Sequence, residues 1–229
     1  IMERYKKGTV GLGSNVPEPK FDLPKPVFIK DKFTIDLENI ASLNKSHPAR
    51  IYLEQSRKIS SKILEHLYYC NNFKEWTNAQ KQTFDDVTND EPRIIIPLRY
   101  KGTLIGFQGR SLLPKSKIKY ITIMLEENAP KIYGLDNINT AKTVYVTEGP
   151  FDSTFITNSI AMCGADGDVS KWGITNPVWI YDNEPRNKQI VERLSATIDK
   201  GDRVVIFPKN IFEKDINDMV LSGQNVQKM

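Results

Sequence analysis

Three acidic clusters carry the chemistry of this chain, and each follows an apolar run of strand character. TVYVT ends on Glu148 and Gly149, WIY ends on Asp182 with Glu184 two residues on, and RVVIFPK is followed by Asp215, Asn217 and Asp218. In an open α/β sheet the C-terminal ends of strands form the edge where ligands bind, so carboxylates at three such ends point to metal or phosphate chemistry. Magnesium takes hard oxygen ligands and keeps several waters, a need that a few carboxylates plus substrate phosphates meet. A strand-end acid also caps the helix that follows it, and each of these acids taken alone fits that simpler role. Three clusters in one sheet favour the metal. Asp152, one helical turn after Glu148, stays open between cap, ligand and support for the ligands. Gly149 lets a neighbouring group approach closely or simply turns the chain.

The elements that must hold these acids lie in the second half of the chain. From residue 143 the pattern reads strand 143–148, helix 150–158, strand 159–164, short helix 168–173, strand 177–182, helix 186–199, strand 203–208 and helix 215–222. That alternation predicts a parallel sheet. In the helix after Asp182, Ile190, Val191, Leu194 and Ile198 form the face expected to cover the sheet, with Lys188, Glu192 and Arg193 elsewhere.

Upstream, RIIIPLRY, the two-residue turn Lys101-Gly102 and TLIGFQGR read as a β-hairpin, with more extended chain through KYITIML. Between Arg93 and Tyr120 there are seven basic residues, Arg99, Arg110 and Lys119 among them, and no Asp or Glu. Arg93 and Arg99, six apart, share a side of an unbroken strand. The stretch reads as a phosphate-tracking surface or as a solvated edge strand guarded by charge. Before it, residues 46–69 hold two short helices, and the Pro-rich residues 1–34 read as an extended linker.

Composition narrows the rest. The chain has 229 residues, 32 Lys and Arg against 28 Asp and Glu, and a net charge of +4. Cys70 and Cys163, in unrelated contexts, support neither a zinc site nor a disulfide framework, which fits a reducing cytoplasm. No run approaches the ~20 apolar residues that span a bilayer, so no membrane partner is expected. The opening Ile1 in place of Met implies a region cut from a longer polypeptide.

Taken in order, RIIIPLRYKGTLIGFQGRSL, IKY, IYGLDNI, VYVTEGPFDS, YDNE and KDIND resemble the catalytic core of bacterial-type (DnaG-like) DNA primases, most of all those of tailed bacteriophages, over residues 93–223. The resemblance implies an α/β fold, α+β overall, in which a Toprim parallel sheet flanked by helices (141–223) follows a smaller mixed α+β subdomain (35–140), with residues 224–229 as a tail. It implies RNA primer synthesis on single-stranded DNA during phage replication, with two or more Mg2+ or Mn2+ ions as cofactors. Glu148, Asp182 and Glu184 would be catalytic; they, Asp215 and Asn217 would hold metal, with Gly149 and Asp152 in support. The chain has Asp-x-Glu where the family has Asp-x-Asp, and Asn217 where many relatives have Asp. Arg93, Arg99, Arg110 and Lys119 would bind template and ribonucleoside triphosphates. A replicative helicase is the implied partner, and the host cytoplasm the place if the chain is phage-encoded. The family's zinc-binding domain cannot be built from two cysteines. A Toprim nuclease or DNA repair enzyme and a non-catalytic nucleic-acid scaffold are the rival readings.

Overall fold

The computed structural model describes residues 33–164 and 167–227, so nearly all of the 1–34 segment and the end of the 224–229 tail lie outside the described residues. Two five-stranded sheets make up the body. The first is antiparallel throughout: β1 (Glu38–Asn39), β2 (Tyr68–Cys70), β3 (Arg93–Tyr100), β4 (Thr103–Ser111) and β5 (Tyr120–Met124), side by side in that order. The expected hairpin is β3–β4, and its turn residues Lys101 and Gly102 both have positive φ, 53° and 79°. Such a turn matches the twist of the flanking strands, and glycine takes it without steric penalty.

The hairpin is not regular. Tyr100 pairs with Thr103 and Arg99 with Leu104, but Leu98 pairs with Gly106, which leaves Ile105 as an extra residue on β4. A one-residue bulge of this kind turns every residue beyond it to the opposite face. Had the register at the turn continued, Arg93 would lie opposite Arg110. Instead Arg110 lies opposite Ile94, and Arg93 opposite Ser111.

The two faces of this sheet meet different partners. One packs Ile95, Phe107 and Ile123 against Phe73 and Trp76 of α3 (Phe73–Gln80), a helix the sequence reading did not include. The other carries Ile94 and Ile96 against Leu53, Ile59, Leu64 and Phe151. Leu53 sits in a π-helical turn, Tyr52–Ser56, that follows α1 (Pro48–Ile51); Leu64 ends α2 (Ser61–Leu64). Two helical segments are thus present before Tyr69, as expected, shorter than a regular helix would be.

The second sheet runs β10–β9–β7–β8–β6. It is built from β7 (Val144–Thr147), β8 (Ser159–Met162), β9 (Pro177–Ile180) and β10 (Arg203–Val204), all parallel, and β6 (Ile132–Tyr133), antiparallel to β8. β6 comes from before residue 141, so the sheet draws on chain from both sides of that expected boundary. The predicted alternation is present, with two shortened elements. α4 spans only Pro150–Ser153. The hydroxyls of Ser153 and Thr154 donate to the carbonyls of Pro150 and Phe151, and the following backbone bonds skip three residues rather than four, so the helix tightens and stops. β10 is two residues long; Val205 N–H still donates to Trp179 O, and Pro208, lacking an N–H, ends the extended run.

α5 (Lys188–Asp199) buries Ile190 and Thr197 and half-buries Leu194, while Val191 and Ile198 are exposed. Its inner face is therefore rotated from the expected one, which brings Arg193 inward. The sheets meet where Leu98 and Ile105 pack on Cys163, and Asp136 accepts bonds from the backbone N–H groups of Lys101 and Gly102 at 2.6 and 2.8 Å. Among the described residues no helix is long and apolar enough to cross a membrane.

Candidate active site

β7 is the middle strand, with β8 on one side and β9 on the other. The chain leaves β7 for β8 and then returns past it to β9, so the strand order reverses at the C-terminal ends of β7 and β9, where a crevice opens. Glu148 follows β7 directly, and Asp182 lies two residues beyond β9. Asp182 N–H donates to Glu148 Oε1 at 3.2 Å. Asp215 is the N-cap of α6 (Ile216–Leu221), accepting from Asp218 N–H at 2.8 Å. The capping role read for such acids is real for Asp215, and it spends one oxygen while leaving the charge in the cleft.

Asp152 joins these acids. Its Oδ1 accepts from Asn217 N–H at 3.0 Å, and its carboxyl is pushed up to about 7 by burial and by the charges of Asp215 and Asp182. Asp182 is pushed up to about 6 by burial and by Glu148. Gly149 has an ordinary φ of −106°, so it is there for space. A Cβ at that position would lie 2.7 Å from Asp152 Oδ2.

Cations already lean on the acids. Arg193 Nη1 is 2.7 Å from Glu148 Oε2, and Lys214 Nζ is 3.6 Å from Asp182 and 3.7 Å from Glu184. Among the described residues no three acids are gathered closely enough to hold a metal ion as they stand. The donor set still suits a hard divalent cation. Burial first, and then the charges of neighbouring acids, make Asp152 and Asp182 resist ionisation, and a bound cation would relieve that repulsion.

The cleft above these acids has a volume of about 630 Å³, and its opposite wall is the Ile94 face of the first sheet. Arg110, Gln108, Tyr120 and Thr122 line it from there, joined by Lys119 and by Arg57 from the end of the π-helical turn. Arg110 donates through Nε and Nη2 to Tyr52 Oη and lies 4.7 Å from the centre of the Tyr120 ring. Lys119 Nζ bonds the carbonyls of Leu113 and Pro114.

Arg57, Arg193 and Lys214 were not singled out from the sequence. Their positions follow from a π-helical turn, a helix rotation and a loop, none of which periodicity reports. Asn217 is 1 % exposed, and both ends of its carboxamide are taken. Its Oδ1 accepts from Arg57 Nη1 and its Nδ2 donates to Arg57 O, each at 2.8 Å. It lines the cleft while tying Arg57 to Asp152. Glu184 lies at the rim, against Lys214 and Asn187, and does not line the cleft.

Two expected arginines are elsewhere. Arg93 and Arg99 share one side of β3, as their spacing predicts, and it is the side away from the cleft. Arg93 is 4 % exposed; it donates to Glu91 Oε2 and to the carbonyls of Gly109, Ile118 and Lys119, and stacks on Phe73. Arg99 donates to Gly102 O. Removing one partner of a buried ion pair costs about 3–5 kcal/mol, so Arg93→Met is expected to lower unfolding free energy by about 3 kcal/mol, against less than about 0.5 kcal/mol for Arg99→Ala. Urea unfolding of both variants checks this.

No protein-family model matches the chain. Its fold is that of the RNA polymerase domain of primases. That domain of Mycobacterium tuberculosis primase DnaG, solved with a double-stranded DNA oligomer bearing a 6-nucleotide overhang, superposes with a TM-score of 0.59 at 16% identity, covering 82% of this chain and 73% of that one. The primase fragment of the bacteriophage T7 primase-helicase protein gives 0.51 at 15% identity, over 84% and 77%. In sequence the chain is similar to the DNA primase of Enterobacteria phage T4, 33% identical over 216 residues, 92% of this chain. It spans 62% of that relative's length. The likeness to bacterial-type and phage primases read from the motifs is thus found in both sequence and fold.

Proposed function

We propose that this chain is the catalytic core of a DNA primase, joining ribonucleotides into short RNA primers on single-stranded DNA during phage replication. The observation that carries this reading is one cleft with acids on one wall, Glu148, Asp152, Asp182 and Asp215, and Arg57, Arg110 and Lys119 on the other. Such a cleft takes a triphosphate between cations and the carboxylates that would hold metal. Glu148, Asp182 and Asp215 would hold two or more magnesium or manganese ions, with Asp152 behind them and Glu184 at the rim. The chemistry such ions would supply when bound is a lowered pKa for the attacking 3′-hydroxyl and neutralised charge at the α-phosphate and leaving pyrophosphate.

The chain's own groups do the rest. Arg193 and Lys214 hold Glu148, Asp182 and Glu184 in place, and Asn217 fixes Arg57 against Asp152. Arg110, steadied by Tyr52 and Tyr120, offers its guanidinium to phosphate oxygens. No side-chain nucleophile is needed, and neither cysteine offers one. Cys70 and Cys163 are buried, with thiols pushed up to about 12. The partners are single-stranded template, ribonucleoside triphosphates and a replicative helicase, in the cytoplasm of a bacterial host.

Arg110→Ala tests the division of labour between the walls. It is expected to raise the KM for ribonucleotides about tenfold or more, since charge-assisted bonds to phosphate are lost, while lowering the unfolding free energy by no more than about 2 kcal/mol, the scale of its own bonds to Tyr52. Steady-state incorporation assays and urea unfolding read the two quantities. An unchanged KM would remove Arg110 from the nucleotide site.

A further inference from the structure

One polar atom on the cleft wall has no use in the reading above. Gln108 lies on β4 between Gly106 and Arg110, on the cleft side, and is 4 % exposed. Its Nε2 donates to Thr122 Oγ1 at 3.0 Å, and Thr122 Oγ1 in turn donates to Cys163 O at 3.0 Å. A threonine hydroxyl has one proton. Since that proton goes to the Cys163 carbonyl, Oγ1 accepts from the amide, and this settles which end of the Gln108 carboxamide is nitrogen. The other end, Oε1, is a buried acceptor with no hydrogen-bond partner among the described residues. Buried acceptors are nearly always satisfied, and an exception in a ligand cleft marks where a ligand donor belongs.

We infer that Gln108 Oε1 accepts a hydrogen bond from the ribose 2′-hydroxyl of the incoming nucleotide, so that Gln108 is a residue that sets the preference for ribonucleotides over deoxyribonucleotides. The inference rests on the primase reading and deepens it. Phosphate oxygens are acceptors and cannot satisfy an acceptor. Of the donors a nucleotide carries, the exocyclic amines differ among bases and are missing from uracil, whereas a polymerase copying a template must take all four. The sugar hydroxyls are common to every ribonucleotide, and of the two the 3′-hydroxyl must stay free to attack the next nucleotide, which leaves the 2′-hydroxyl. Gln108 and Arg110 are two residues apart on one strand, about 7 Å, the span from a sugar hydroxyl to the phosphates that Arg110 would bind. The hydrogen-bonded chain through Thr122 to Cys163 joins the two sheets across the cleft, and it holds the acceptor rigidly enough to discriminate.

The test uses the wild-type chain with four uridine triphosphate analogues that differ only at the 2′ position, hydroxyl, amino, fluoro and hydrogen, on an adenine-containing template. An acceptor at the sugar is satisfied by hydroxyl and amino groups and not by fluorine or hydrogen. The expected order of kcat/KM is therefore hydroxyl close to amino, with fluoro and deoxy lower by about 10- to 100-fold. Gln108→Leu is expected to lower kcat/KM for ribonucleotides by a similar factor while leaving deoxyribonucleotides unchanged. Fluoro equal to hydroxyl in the wild type overturns the inference, as does a Leu variant that loses both sugars equally. Loss in the variant confined to adenine, cytosine and guanine nucleotides, with uridine spared, would place the acceptor on the base and also overturn it. The analogue series needs no variant, so a Gln108→Leu chain that fails to fold leaves the test intact. A wild type that makes no RNA from any nucleotide sinks the primase reading, whereas active synthesis without 2′ discrimination sinks this inference alone.

Discussion

Glu148→Gln is expected to reduce RNA synthesis by about a thousandfold or more, while single-stranded DNA binding stays within about twofold of wild type. The variant keeps an oxygen able to accept from Asp182 N–H, so the local backbone bond survives, but it removes the charge that faces Arg193 at 2.7 Å. A thousandfold corresponds to about 4 kcal/mol of transition-state stabilisation, the scale expected when a carboxylate that holds metal or moves a proton is neutralised. Template binding is governed by cations neutralising phosphates, and those lie on the opposite wall. Single-turnover incorporation and a fluorescence binding isotherm separate the two effects. A variant retaining more than about a tenth of wild-type synthesis would show that Glu148 is structural.

The second large effect concerns stability and its pH dependence. The carboxyls of Asp152, at about 7, and Asp182, at about 6, both lie above the ordinary aspartate value of 3.8. The folded state thus binds their protons more tightly than the unfolded chain does. Their contribution to stability is fully present below about pH 4 and is lost as pH rises through 6 to 7. Asp152→Asn, which keeps an acceptor for Asn217 N–H, removes the largest part of that loss. Without divalent ions the variant should melt about 3–8 °C above wild type at pH 8, and the gap should close toward pH 4. Adding magnesium at pH 8 should raise the wild type more than the variant. Calorimetry in chelator and then in magnesium gives both numbers, and a variant that melts below wild type at pH 8 contradicts the repulsion.

The acidic wall was legible in the sequence because strand-end carboxylates keep their meaning wherever the strands run parallel. Glu148, Asp182 and Asp215 needed only the alternation of apolar strands and helices. The basic wall was half legible. Alternation along β3 and the Lys101-Gly102 turn fixed the hairpin, but one bulged residue, Ile105, decides that Arg110 faces the cleft and Arg93 does not. Gly106 beside it is a weak signal of a bulge, since glycine inside a strand often marks one. Arg57, Arg193 and Lys214 reach the acids from a π-helical turn, a rotated helix and a loop, where neither period 2 nor period 3.6 applies. α3 was missed because FKEWTNAQ is short and mixed, and it is held by Phe73 and Trp76 packing on Phe107.

The central claim is most directly tested by incubating the purified chain with magnesium, labelled ribonucleotides and single-stranded DNA templates that differ at one base, and sizing the products. The account predicts short RNAs whose composition changes with the template base and which vanish in chelator. Cleaved DNA with no RNA, or RNA whose composition ignores the template, would contradict it.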